Sequence, residues 1–249
     1  MSAGAEIPKG TPETVLPGLP RGEVGIAVST GVAGKSFLLL EAALAVATGQ
    51  DIGDLWQVPI TAGPTYYICG TDPRGIVRAR LENVLAHAEG RGGHPPRDFH
   101  VLLDDSHEIT LFERGRDPVA AHPMLTGIER LVTAQGARLV VFEHLERYLN
   151  RAGLAWSDPA TRAGVLRILR ASARRMDCAI LIAPRPWAEY PEADRPDAEV
   201  AWDLWLAQDG PEDPLTLRYS DRRANAPVVR ALVRGADGVL TAIRGPDER

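Results

Sequence analysis

Lysine is nearly absent from this chain. Of its 28 basic residues two are lysines, Lys9 in a proline- and glycine-rich stretch and Lys35 inside a Gly-Lys-Ser triplet. An arginine-biased composition thins lysine out everywhere, so the place of Lys35 is the informative part. Cysteine is almost as scarce. Cys69 and Cys178 cannot supply a disulfide framework, and each sits in an apolar run that reads as a buried strand, where a free thiol behaves as a small hydrophobe. No apolar run approaches the roughly eighteen residues of a membrane span, and no basic segment followed by an apolar one opens the chain. A cytoplasmic location is therefore expected. A net charge of −5 speaks against a broad basic face that clamps duplex DNA, while leaving a narrow channel for a single strand open.

What is present is an alternation. Residues 1–20 read as an extended arm and residues 21–249 as one domain. Val24–Ser29, Pro64–Cys69, Phe99–Leu103, Arg138–Phe142 and Cys178–Ala183 are short apolar runs of strand type. Between them Lys35–Thr48, Arg74–Glu89, Val119–Gln135 and Pro159–Met176 have the length and spacing of helices. Continuous apolar strands separated by helices predict an α/β fold with a mainly parallel sheet covered on both faces. Leu215–Tyr219, Val228–Val233 and Val239–Ile243 predict antiparallel strands closing it, the last two joined by a Gly-Ala-Asp-Gly turn. The Pro-, Asp- and Glu-rich stretch from Trp187 to Pro214 reads as an excursion from the domain.

The strongest chemical signal is Ser29-Thr30-Gly31-Val32-Ala33-Gly34-Lys35-Ser36, after a predicted strand and opening a predicted helix. Such a loop wraps phosphates in backbone N–H groups, the helix terminus adds partial positive charge, the lysine reaches the β and γ oxygens and the serine hydroxyl serves Mg2+. Residues Thr30 to Phe37 are thus the candidate ATP-binding segment. Ser29 stands where the strict pattern has glycine. A partner carboxylate for the magnesium is expected at the end of an apolar strand, and Leu139-Val140-Val141-Phe142-Glu143 offers Glu143, with Ser36, as the metal-side pair. His144 has no second ligand at metal spacing, and the six histidines show no zinc pattern.

Val15 to Gly25, leading into the loop, together with Thr61–Tyr67, Thr71-Asp72-Pro73, Arg80-Leu81, Leu145–Tyr148, Asp177–Ile180 and Arg223–Pro227, resembles the RepA-type hexameric plasmid-replication helicases, a branch of the RecA-like P-loop ATPases. In that branch serine is common at the first loop position. The resemblance implies a RecA-like core, a homo-oligomeric ring of six subunits with ATP between neighbours, and translocation along single-stranded DNA. It also places Arg223 where the family has a lysine that reaches a neighbour's nucleotide.

The departures concern hydrolysis. Thr71 occupies the position of the family's water-orienting glutamate, which leaves Asp72 as a substitute displaced by one residue. Ala183-Pro184-Arg185-Pro186 replaces a strand end rich in histidine. Losing a water-positioning group slows phosphoryl transfer by orders of magnitude. Two readings follow: a DNA-translocating ATPase, or a nucleotide-binding regulatory or assembly protein with little turnover. Arg185, Trp187 and Tyr190 suit stacking on unpaired bases, but the acidic stretch from Glu189 to Glu199 opposes phosphate. The arginines of the Pro159–Met176 helix read as a solvated face paired with acids.

Overall fold

A computed structural model describes residues 13–30, 33–70, 72–104, 108–115, 117–184, 200, 202–208, 213–221 and 227–243. Along the chain, β1 (Thr14–Leu16) and β2 (Leu19–Pro20) form a small hairpin, followed by β3 (Val24–Ser29), α1 (Lys35–Thr48), a 3-10 turn (Ile52–Asp54), β4 (Thr65–Cys69), α2 (Arg74–Gly90) and β5 (Phe99–Leu103). Next come β6 (Phe112–Glu113), β7 (Ala120–Ala121), α3 (Pro123–Ala134), β8 (Leu139–Glu143), α4 (Leu145–Asn150), α5 (Pro159–Met176) and β9 (Ala179–Ala183). Strands β10 (Trp202–Ala207), β11 (Leu215–Asp221), β12 (Val228–Arg234) and β13 (Leu240–Ala242) complete the described elements.

The central sheet runs β13-β12-β11-β10-β3-β9-β8-β4-β5. It is parallel from β10 to β5 and antiparallel from β10 to β13. The expected α/β fold, with a mainly parallel sheet and antiparallel closing strands, is what the chain adopts. Successive side chains on a strand face opposite ways, so the apolar runs sort into two layers. Ala27, Leu139, Val141, Leu181 and Ala183 pack with α1 and α2, whereas Val24, Ile26, Val140, Phe142, Ile180 and Ile182 pack with α3, α4 and α5. Helix α1 is buried from Leu38 to Ala47 and ends at Gly49, whose N–H closes the last turn on Ala45 O.

Several elements depart from their sequence reading. Residues 14–20 form a hairpin with Val15, Leu16 and Leu19 buried against the core. The third helix begins at Pro123 rather than Val119, because Ala120–Ala121 pairs with Phe112–Glu113 and His122 caps the helix through Nδ1, with proline at the first turn where its missing N–H is harmless. The excursion contains β10, whose alternating Trp-Asp-Leu-Trp-Leu-Ala buries Trp202, Leu204 and Leu206 and pairs in parallel with β3. On α5 the arginines pair with Asp117, Glu23 and Glu129, except Arg162, which is buried against the Trp156 carbonyl. Burial pushes the Cys178 thiol up to about 12, which suits an inert core position. No helix among the described residues is long and apolar enough to cross a membrane.

Candidate functional site

Strand β9 separates β3, which carries the glycine-rich loop, from β8, which ends in Glu143. The carboxyl ends of β3, β9, β8 and β4 thus face one crevice, which the amino terminus of α1 enters. Gly34, the residue before α1, has φ 103, a left-handed conformation that glycine alone adopts freely. Among the described residues no side chain caps α1, and no acid lies in its first turn. Its amino-terminal N–H groups are therefore presented to the crevice, the arrangement that binds anions. Thr30 anchors the near side of the loop: its N–H donates to Leu206 O at 3.0 Å, and its Oγ1 accepts from Gln208 N at 3.1 Å.

Lys35 Nζ donates to the Pro184 carbonyl at the end of β9. Ser36 Oγ donates to Glu143 Oε1, and Tyr67 Oη donates to Glu143 Oε2. Glu143 is fully buried, so these two hydroxyls supply the hydrogen bonds that a buried carboxylate requires. Burial, and then the charge of Glu143, holds the Tyr67 hydroxyl well above its ordinary pKa, which keeps it a donor. The role of Tyr67 depends on the register of β4 against β8, which the linear sequence does not show. Tyr67→Phe removes one partner of a buried carboxylate. It is expected to destabilise the fold by about 1–3 kcal/mol in urea unfolding.

His144 follows Glu143 with φ 56 and brings Nδ1 to 3.9 Å from Glu143 Oε1. Burial lowers its pKa, outweighing the pull of Glu143 and Asp72 toward the charged form. In sequence no histidine had a metal partner. In the fold Cys69 pairs in register with Glu143, and the ligand atoms of Cys69, Glu143 and His144 lie within 4.8 Å of one another.

Asp72 is close to this group but forms an ion pair with Arg80 of α2. Gly31 and Val32 of the loop, Thr71, Arg223 and the Arg185, Trp187 and Tyr190 group all lie outside the described residues. Ala33 is buried and Phe37 packs beneath the turn at 235–238. Beside the loop, an open cleft of about 460 Å³ runs between the end of β10 and the β12–β13 hairpin. Gln208, Asp213, Val233, Arg234 and Ile243 line it, and Arg234 lies against Gly34.

A family model described as an AAA domain matches residues 3–184 of the 249, well over half of the chain.

Proposed function

We propose that this chain, which belongs to the AAA-domain family of nucleotide-binding ATPases, binds ATP with Mg2+ through residues 30–37 and Glu143 and uses it in a homo-oligomeric ring that engages single-stranded DNA. The observation that carries the reading is the meeting of Ser36 and Glu143 beside the uncapped start of α1. These oxygen donors fit a hard cation, which prefers carboxylate, hydroxyl and phosphate oxygens. Ser36 and Glu143 would hold Mg2+, and the bound ion would neutralise phosphate charge. The N–H groups at the start of α1 would take the phosphates, with Lys35 moving from the Pro184 carbonyl to the β and γ oxygens. Purine and ribose would lie toward the cleft at Gln208 and Arg234. Residues 21–249 would act as one ATP-binding domain, as in the RepA-type helicases that the sequence resembles.

A second reading has an observation of its own. Asp72, the acid nearest the position of the missing glutamate, is tied to Arg80. An acid held in an ion pair is poorly placed to orient an attacking water. In this reading hydrolysis is slow and ATP serves as a conformational ligand between subunits, with Arg223 reaching a neighbour's nucleotide. ATP turnover measured with and without single-stranded DNA, with oligomeric state followed in parallel, separates the two. Turnover stimulated at least about tenfold by DNA selects the translocating ATPase. Tight binding with negligible turnover in both conditions selects the regulator, and failure to bind ATP removes both.

A further inference from the structure

Three side chains of different chemistry converge at the carboxyl edge of the sheet. Cys69 ends β4 and Glu143 ends β8, and their parallel register puts both side chains on the same face. His144, held in a left-handed conformation, turns its ring back toward Glu143. One sulfur, one carboxylate oxygen and one ring nitrogen thereby fall within 4.8 Å of one another.

We infer that, in the absence of nucleotide and Mg2+, Cys69, Glu143 and His144 form a binding site for a thiophilic divalent transition ion of the zinc class, which shares the Glu143 carboxylate with the proposed Mg2+ site and so excludes Mg2+ from it. The donor set selects that class. Magnesium takes oxygen ligands and would leave the sulfur and the imidazole unused, whereas thiolate, imidazole and carboxylate are the ligands zinc takes. The thiol proton leaves on binding, and thiolate plus carboxylate then balance the two charges of the ion. Zinc bonds of about 2.0–2.3 Å bring ligand atoms to within about 3.8 Å of one another, so the cluster contracts by roughly 1 Å. His144 can supply that movement, since its side chain is 24% exposed while Glu143 is at 0%.

Three protein ligands leave one tetrahedral position open to water or another oxygen.

The test uses the full chain free of nucleotide, with Co2+ as a spectroscopic substitute for Zn2+. One equivalent of Co2+ is expected to give a thiolate-to-cobalt charge-transfer band in the near ultraviolet that Zn2+ abolishes by displacement. Cys69→Ser is expected to lose the band. His144→Asn, whose side chain tolerates the left-handed backbone, is expected to fold and to weaken Zn2+ binding by more than about 100-fold, beyond the loss of an outer-shell partner. If Cys69→Ser fails to fold, His144→Asn decides. Co2+ bound without the sulfur band, or Zn2+ affinity unchanged in His144→Asn, overturns the site. The nucleotide reading is tested separately by ATP titration of the unaltered chain, so failure of one leaves the other standing.

Discussion

Lys35→Ala is expected to reduce ATP affinity by at least about 100-fold while leaving the fold intact. Lys35 is the one lysine among the described residues and the first residue of α1. Its ammonium donates to the carbonyl of Pro184, which directly follows the strand between the loop and Glu143, so it already spans the crevice. With nucleotide present it would exchange that carbonyl for phosphate oxygens. Two charge-assisted hydrogen bonds at about 1.5–3 kcal/mol each account for 3 kcal/mol or more, which is over two decades in affinity. Alanine is favourable at the start of a helix, and the lost contact is partly solvated, so thermal unfolding should move little. Lys35→Arg is a useful companion. The chain uses arginine almost everywhere else, yet a planar guanidinium is longer and fork-shaped and does not replace a compact ammonium between two phosphates. Calorimetric titration of both variants checks the assignment, and wild-type affinity in Lys35→Ala would sink it.

The local signals that mark the loop in the sequence are of short range. A strand, two glycines, a lysine and a helix lie within about two turns of chain, and each is set by its neighbours. The same holds for α5, where Asp158 accepts from Ala160 N and Thr161 N ahead of Pro159. Strand β10 was missed for the opposite reason. Its pattern is short, it borders an acidic, proline-rich stretch, and the partner that makes it a strand, β3, lies far away in sequence. Glu143 was legible as a strand-end acid. Its hydroxyl partner Tyr67 and its neighbour Cys69 were not, since both depend on β4 lying beside β8 in one particular register, and a one-residue slip would turn them to the other face. The Asp72–Arg80 pair shows the same limit, because a substitute acid can be named from sequence while the cation that holds it comes from the next helix.

Glu41→Gln is expected to make the protein more stable at neutral pH, with a gain that vanishes in acid. Glu41 lies in α1, fully buried, six residues after Lys35. Its Oε1 accepts from Leu240 N at 2.8 Å, which ties β13 to the helix that follows the loop, while Oε2 finds no hydrogen-bond partner among the described residues. Burial raises its pKa well above the usual carboxylate range, and the charges of Asp237 and Asp51 add to this against the Leu240 N–H. Below the ordinary value of 4.5 the group is protonated both folded and unfolded, and it does not load the fold. As pH rises past that value the unfolded chain releases the proton first, so folding stability falls until the pH passes the raised native pKa. The slope in this window approaches about 1.4 kcal/mol per pH unit for one proton. Glutamine keeps the acceptor for Leu240 N and nearly the same volume, and it cannot ionise. Urea unfolding of both proteins across the window should give curves that coincide in acid and separate steadily toward neutral pH; parallel curves would mean that Glu41 ionises freely in the fold. Because the β12–β13 hairpin also sets Arg234 against Gly34 and lines the cleft beside the loop, the hydrogen bond at Glu41 is where the stability of α1 and the shape of that cleft are joined.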